Sequence, residues 1–155
     1  MKRLERKQWL PISLDEAWDF FSSPQNLNEI TPDEMVFEIL TEVPPLMYEG
    51  LFVEYRIRPI LNIPMRWVTE ITHIKEKKYF IDEQRVGPYR IWHHEHHFEA
   101  HDGGVMMTDI LYYDVGKGLL GKIASLLLVD TKVKGIFDYR CIILEERFAR
   151  KEQGI

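Results

Sequence analysis

Three observations predict an α+β fold in which a seven-stranded antiparallel sheet curves around one long C-terminal helix. A strand and two short helical segments open the chain, strand-like segments separated by turn clusters fill residues 35–115, and a helical period returns from Leu119 onward. The later strand connections are too short for crossover helices, so the strands should be antiparallel. The 155 residues fit a single domain, 1–155, whose curved sheet can leave a cavity beside the helix.

The N-terminal elements are predicted from local signals. A period-two pattern over residues 3–10 predicts a strand that ends at Pro11. Ser13 and Glu16 have the spacing of a capping box, and the apolar residues after them predict a helix that ends near Ser22. A Ser-Pro start and a Thr-Pro stop predict a second short helix over residues 24–30.

The remaining elements follow from turn clusters and periodicity. Six further strands are predicted at 35–41, 50–58, 65–75, 78–86, 89–101 and 104–115. Beyond them, apolar residues such as Phe137, Leu144 and Phe148 recur at helical spacing and predict the final helix. The segment GKGLLG at 116–121 matches a dinucleotide-binding pattern, but no second parallel strand follows, so it is interpreted as a strand-to-helix corner.

The segment WHHEHHF, residues 92–98, places four histidines and one glutamate in five consecutive positions. Successive side chains of a strand face opposite sides, so His94 and His96 share a face with aromatic residues, whereas His93 and His97 share a charged face. The outer pair is most simply solvent-facing and without chemistry. The four histidines are therefore interpreted as two separate pairs.

The turn HDGG predicts the partners of this strand. Asp-Gly is a strong signal for a two-residue hairpin loop, which sets His96 opposite Asp109 and Trp92 opposite Tyr113. A carboxylate opposite a half-buried imidazole favours the protonated form of that imidazole. Asp109 is therefore predicted to raise the pKa of His96.

The turn KEKK, treated in the same way, sets Lys75 opposite Lys78 and Ile71 opposite Asp82. An odd loop or a bulge at the Gly-Pro corner then brings Asp82 near His94. We predict a concave ligand-binding face with apolar walls and a polar row that orients the polar part of a ligand. The predicted walls are Trp67, Phe80, Trp92, Met107, Tyr113 and Phe137. The predicted polar groups are Asp82, Gln84, His94, His96, Asp109 and, from the helix, Arg140.

Two alternatives concern the chemistry of this row. Two histidines at i and i+2 beside carboxylates suit Zn²⁺ or Fe²⁺. A buried network in which histidines and aspartates neutralise one another is the simpler interpretation, and it assigns no metal and no cofactor. Arg140, on the flank of the apolar helix face, either reaches solvent or anchors a carboxylate of the ligand or of the protein.

Composition excludes several classes of partner. A net charge of −5 provides no basic footprint for nucleic acid. Cys141 is the only cysteine, which excludes an internal disulfide and suits a reducing cytosol. The N-terminus has no signal-peptide pattern, and no apolar stretch approaches the ~20 residues that cross a bilayer. We therefore expect a cytoplasmic protein whose partner is a hydrophobic small molecule, with no nucleic-acid binding and no membrane insertion.

Three motifs together resemble one superfamily. They are P-x-S-x-D-E-A-W-D-F-F-S-x-P-x-N-L-x-x-I-T-P at 11–32, F-x-D-E-Q-x-x-G-P-Y-x-x-W-x-H-E-H-x-F at 80–98 and D-x-x-x-Y at 109–113. The chain resembles the START-like helix-grip superfamily, also called SRPBCC, and more narrowly its bacterial stand-alone ligand-binding members. Such relatives often carry a proline after the last motif, where this sequence has Gly116.

The resemblance implies a helix-grip fold that encloses a pocket for a hydrophobic small molecule. It leaves the activity open, because the superfamily includes lipid carriers, hormone receptors, polyketide cyclases and oxygenase domains. One hypothesis is binding for carriage, sensing or sequestration. Another is a cyclase or dehydratase that uses His96 and Asp109 as general acid-base, and a third is an interaction module whose pocket is simply core. A ligand site should show a void of ~300 Å³ or more.

Overall fold

A seven-stranded antiparallel sheet and a long C-terminal helix dominate the computed structural model, which describes residues 1–35, 37–58, 63–116 and 126–152. The strands are β1 (Lys2–Leu10), β2 (Glu38–Ile39), β3 (Phe52–Ile57), β4 (Met65–Lys75), β5 (Tyr79–Val86), β6 (Ile91–His101) and β7 (Gly104–Asp114). The α-helices are α1 (Leu14–Phe21) and α2 (Leu126–Glu152), and 3₁₀ helices cover Pro24–Ile30 and Asp33–Met35. The described helices include none that is long and apolar enough to cross a membrane.

The strand order is β1-β7-β6-β5-β4-β3-β2, with every neighbouring pair antiparallel. The first strand thus pairs with the last, and each other strand pairs with its neighbour in sequence. The predicted fold class is confirmed: the sheet has seven antiparallel strands and the chain ends in a long helix. The corner predicted at 116–121 lies, apart from Gly116, outside the described residues.

The helix α2 packs against the β1–β7 side of the concave face and, in the described part of the chain, not against its β3–β4 side. Val133 and Phe137 of α2 pack against Leu111 of β7, and Phe148 of α2 belongs to a core cluster with Leu10 of β1. A third buried cluster on β3 and β4 contains no residue of α2 among the described residues. This asymmetry leaves a space between the helix and the β3–β4 side of the sheet.

Two predicted elements differ from those observed. The strand predicted at 35–41 shortens to Glu38–Ile39 at the edge of the sheet, and the Leu40 N–H beyond it still donates to the Glu54 carbonyl at 2.8 Å. The helix predicted at 24–30 is present as a 3₁₀ helix whose preceding residue, Ser23, makes no side-chain capping bond.

A bulge determines which side chains of β4 face the core. The β4–β5 turn pairs Lys75 with Tyr79, one residue away from the predicted partner, and a register shift between Ile71 and His73 then restores the predicted pairing of Ile71 with Asp82. With one extra residue in β4, inward-facing side chains on either side of the bulge are three positions apart. The core therefore receives Ile71 and Ile74, and His73 is exposed.

Helix α1 begins with the predicted cap. The Glu16 N–H donates to Ser13 Oγ at 3.1 Å, and the helix buries Trp18 and Phe21 against the sheet. Loss of such a cap costs about 1 kcal/mol, so we expect Ser13→Ala to lower the free energy of unfolding by about that amount in denaturant titrations. Ser23→Ala is the matched control, and its expected change stays below about 0.5 kcal/mol. Equal losses in the two variants would contradict the capping role.

Candidate functional site

Five ionisable side chains meet at the centre of the concave face. They are Asp82 of β5, His94 and His96 of β6, Asp109 of β7 and Arg140 of α2. Cross-strand pairing sets Asp82 opposite His94 and His96 opposite Asp109, as predicted from the turns. Both histidines, Asp109 and Arg140 are buried, although all four side chains are polar. These five residues form the central cluster.

Hydrogen bonds in the central cluster run diagonally, not between direct cross-strand partners. His96 Nε2 lies 2.7 Å from Asp82 Oδ2, and His94 Nε2 lies 3.1 Å from Asp109 Oδ1. His96 Nδ1 is also 3.0 Å from Asp109 Oδ1, but it lacks the alignment of a hydrogen bond. The imidazole centroids are 3.8 Å apart, so each ring lies beside both carboxylates. The predicted pairing of His96 with Asp109 is thus correct in strand register, whereas the hydrogen bond goes to Asp82.

The carboxylates of the central cluster are ionised. Burial alone would raise the pKa of Asp109, but Arg140, whose Nη1 lies 3.6 Å from Asp109 Oδ1, and the two histidines hold that pKa well below its ordinary value. Burial likewise opposes ionisation of Asp82, and the hydrogen bond to His96 outweighs it, so the pKa of Asp82 is also lowered. The cluster therefore contains two negative charges.

The two histidines differ in protonation. Burial alone would lower the pKa of His96, but Asp109 and Asp82 outweigh it and raise that pKa, as the sequence predicted for Asp109. Burial and the neighbouring His96 lower the pKa of His94. These shifts favour a protonated His96 and a neutral His94, and a protonated His96 together with Arg140 would balance the two carboxylates.

This assignment predicts that the two histidines change the free energy of unfolding with pH in opposite directions. The measurement uses protein treated with a chelator, so that no metal ion is bound to the histidines. The stabilisation from His96 is complete below the ordinary histidine pKa of about 6.5 and is lost as the pH rises through its raised folded-state pKa. The stabilisation from neutral His94 is complete above about 6.5 and is lost as the pH falls through its lowered folded-state pKa. In denaturant titrations across this range, His96→Gln should flatten the alkaline limb of the stability profile and His94→Gln the acid limb. Parallel profiles for wild type and both variants would refute the assignment.

A cavity of about 160 Å³ lies between the central cluster, α2 and the β3–β4 side of the sheet, and it is partly open to solvent. Its walls are largely aromatic, and several of these rings contact one another edge to face, as Trp67 does with Trp92 at 5.1 Å between centroids. The aromatic lining residues are Phe20, Phe21, Phe37, Tyr55, Trp67, Phe80, Tyr89, Trp92 and Phe137. The ionisable groups on its wall are Asp82, His94, His96 and Arg140.

The volume is about half of the ~300 Å³ expected from the sequence for a ligand site. It is close to that of an engineered apolar cavity of about 150 Å³ that binds benzene. The cavity therefore has the size of one aromatic ring, and its open side leaves room for a longer molecule to continue outward.

Four predicted site residues do not line the cavity. Met107 is in the core cluster with Phe98, and the Tyr113 hydroxyl donates to Asp130 Oδ1 at 2.9 Å. Both lie on β7, beneath α1 or α2, so helices cover them. Asp109 lies behind the two histidines, with its Oδ1 atom 3.1 Å from His94 Nε2 and 3.0 Å from His96 Nδ1. The fourth residue, Gln84, bonds to the backbone of Tyr89.

Gln84 closes the corner between β5 and β6. Its Nε2 donates to the Tyr89 carbonyl at 2.5 Å, and its Oε1 accepts the Tyr89 N–H at 3.2 Å. These two bonds hold Tyr89 against Trp92, with ring centroids 4.7 Å apart. Gln84 therefore supports a cavity wall from behind.

Sequence reasoning missed the wall formed by α1 and the first 3₁₀ helix. Phe20, Phe21, Leu27 and Ile30 line the cavity from these elements. Their apolar spacing predicts a buried face, but the sheet residues that this face meets depend on how the helices pack. The structure also places donor atoms of Asp82, His94 and His96 within 4.8 Å of one another, close enough for a shared ion.

Comparison with known proteins shows the fold alone. No protein-family model matches the chain, and no curated protein sequence matches it. Protein Ms6760 from Mycobacterium smegmatis is similar in structure, with a TM-score of 0.68 and 16% identity over 96% of this chain and 92% of that one. Ara h 8.0201 has a TM-score of 0.57 and 18% identity over 94% of this chain and 98% of its own.

A third solved structure, ginseng major latex-like protein 151 from Panax ginseng, has a TM-score of 0.63 and 13% identity over 95% of this chain and 97% of that one. Ara h 8.0201 and the ginseng protein are Bet v1-like helix-grip proteins. The chain accordingly has the helix-grip fold.

Proposed function

We propose that the chain binds a hydrophobic small molecule in the aromatic cavity, for carriage, sensing or sequestration. The observation that carries this proposal is an apolar cavity that ends on a buried, charged cluster. Arg140 lines the cavity, and its buried Nε has no acceptor among the described residues. An unsatisfied buried donor costs about 1–3 kcal/mol, which a ligand acceptor beside it would offset.

The cavity also indicates the chemical class of the ligand. A volume of about 160 Å³ accommodates one aromatic ring or a short aliphatic segment, and the aromatic walls suit either. Lipids and aromatic polyketides can place such a segment inside and extend through the open side. We further propose that the protein is cytoplasmic and belongs to the bacterial stand-alone ligand-binding members of the START-like superfamily, on the strength of the motifs at 11–32, 80–98 and 109–113.

Thermal-shift screening of lipids and aromatic polyketides tests this proposal. A ligand present at 100 times its Kd stabilises the folded state by about 2.7 kcal/mol, so a saturable rise in Tm is expected. A matched pair of compounds, one with a hydrogen-bond acceptor and one an apolar analogue of the same shape, tests the role of Arg140. The acceptor compound should bind about tenfold more tightly, because one net hydrogen bond contributes about 1 kcal/mol or more. Absence of any response across the screen would contradict the proposal.

A second candidate function is a cyclase or dehydratase, favoured by the position of His96. This residue lines the cavity, and Asp82, 2.7 Å from its Nε2, together with Asp109 stabilises the protonated ring, which can donate a proton as the general acid of an acid-base reaction. A substrate would have to place a proton donor or acceptor within reach of the His96 ring. For an enzyme of this kind, His96→Ala should still bind substrate but lose turnover, and normal turnover by the variant would rule the assignment out.

A further inference from the structure

We propose that Asp82, His94 and His96 bind a divalent transition-metal ion, such as Zn²⁺ or Fe²⁺, at the polar end of the cavity. This site goes beyond the proposed ligand binding and does not depend on it. The three residues provide two imidazoles and one carboxylate from the adjacent strands β5 and β6. These are ligand types that both ions accept.

The distances fit a first coordination sphere. His94 Nδ1 lies 3.5 Å and His96 Nε2 lies 2.7 Å from the same atom, Asp82 Oδ2. An ion with bonds of about 2.0–2.1 Å separates neighbouring ligand atoms by roughly 3.3 Å in tetrahedral and roughly 2.9 Å in octahedral geometry. These two separations bracket those values, and the ligand atoms of all three residues lie within 4.8 Å of one another, so side-chain adjustment would bring them around one ion.

The opposite side of each imidazole has the support that metal-bound histidines use. A metal-binding histidine usually donates its remote ring N–H to a carboxylate, which fixes the orientation of the ring. Here the remote nitrogens, His94 Nε2 and His96 Nδ1, lie 3.1 and 3.0 Å from one oxygen, Asp109 Oδ1. Arg140 in turn holds Asp109 from 3.6 Å. One buried carboxylate thus orients both rings.

A second observation distinguishes this site from a plain charge network. His96 Nε2 bonds to Asp82, while the buried Nδ1 atom, 3.0 Å from Asp109 Oδ1, has no aligned hydrogen-bond partner among the described residues. A metal ion on Nε2 takes the place of the proton there and leaves the ring with one proton, on Nδ1, where Asp109 is close enough to accept the hydrogen bond after a small rotation. The ion therefore satisfies an atom that the metal-free cluster leaves unsatisfied.

The cavity provides access to an open coordination position. Asp82, His94 and His96 all line the cavity, whereas Asp109 lies behind them. A site with three protein ligands keeps further positions for water or for an oxygen of a ligand. With Asp82 and Asp109 ionised and Arg140 charged, a divalent ion leaves the site with one net positive charge. The open position should therefore prefer an anionic oxygen such as hydroxide or carboxylate.

Metal titration of the 155-residue chain, treated beforehand with a chelator, tests the site. Co²⁺ should produce visible d–d absorption that saturates at one ion per chain, and elemental analysis should find one Zn²⁺ per chain after loading and desalting. His94→Ala and Asp82→Ala should abolish this stoichiometry. Asp109→Asn should keep it while weakening affinity by about 10–100-fold, as expected for a carboxylate that orients ligands.

The outer histidines of the same strand provide the matched control. His93 and His97 contact Glu83 and Glu95 on the outer face. The double variant His93→Ala/His97→Ala should bind one ion with wild-type affinity. The proposal would be overturned if this double variant lost metal binding. It would also be overturned if the wild-type protein bound less than a tenth of an ion per chain, whatever the result for the His94 and Asp82 variants. Because no organic ligand is present, failure here leaves the thermal-shift test of small-molecule binding unaffected.

Discussion

Replacement of Asp109 by alanine is expected to lower the free energy of unfolding by about 3–5 kcal/mol, the usual cost of removing one partner from a buried ion pair. Arg140 is buried, and its Nη1 lies 3.6 Å from Asp109 Oδ1. A guanidinium cannot lose its proton to escape an unfavourable site. The variant therefore keeps a buried positive charge without its carboxylate, and His96 also loses one of its two acidic neighbours.

The complementary change, Arg140→Met, should cost less. Asp109 then keeps both histidines, and neutral His94 can take up a proton to replace the lost charge. The double variant Asp109→Ala/Arg140→Met should be more stable than the sum of the single losses predicts, with a coupling of about 0.5–3 kcal/mol. Urea unfolding at neutral pH, after chelator treatment, measures the free energy of unfolding of the wild type, the two single variants and the double variant. Strictly additive losses, or a loss below about 1 kcal/mol for Asp109→Ala, would mean that the pair is not a buried charge couple.

Filling the cavity with Leu27→Trp is expected to weaken binding of any cavity ligand at least tenfold, which equals about 1.4 kcal/mol. Leu27 lines the cavity and packs between the two core clusters on its sides. A larger ring at this position takes up much of the 160 Å³ that a ligand would use. The change adds volume to a void, so the loss of stability should stay within the usual 1–3 kcal/mol of an overpacked site.

The matched control for this variant is Ile142→Trp. Ile142 lies on α2 and is 56% exposed, so the same residue type is introduced away from the cavity. Titration with a compound found by thermal shift should give wild-type affinity for Ile142→Trp and weak or absent binding for Leu27→Trp. Equal affinities for wild type and Leu27→Trp would place the ligand elsewhere on the protein.

The sequence was sufficient to predict the strand pairing that builds the central cluster. The Asp-Gly turn has only two loop residues, so the register of β6 and β7 follows from it, and alternation then separates His94 and His96 from the outer histidines. The hydrogen bonds between the histidines and aspartates of the central cluster could not be predicted from the strand register. Each imidazole can turn toward either carboxylate, and that choice depends on side-chain rotamers, which a strand register leaves undetermined.

Contacts between layers were the harder part. Strand alternation predicts that the side chains of Met107 and Tyr113 face the inner side of the sheet. Whether they contact a cavity or a helix depends on how α1 and α2 pack over the sheet. For the same reason, the sequence did not predict that Phe21 and Leu27 line the cavity. Gln84 was misplaced for a local reason, because its amide is used by the backbone of the following corner.

Mass spectrometry under non-denaturing conditions, on protein purified from its natural host, tests the central claim of small-molecule binding most directly. The native mass should exceed the mass of the denatured chain by that of a small organic molecule, with any metal ion visible as a separate increment. Leu27→Trp should lose the organic increment, and Ile142→Trp should retain it. A native mass equal to that of the bare chain, together with no thermal response to lipids or aromatic polyketides, would contradict the account.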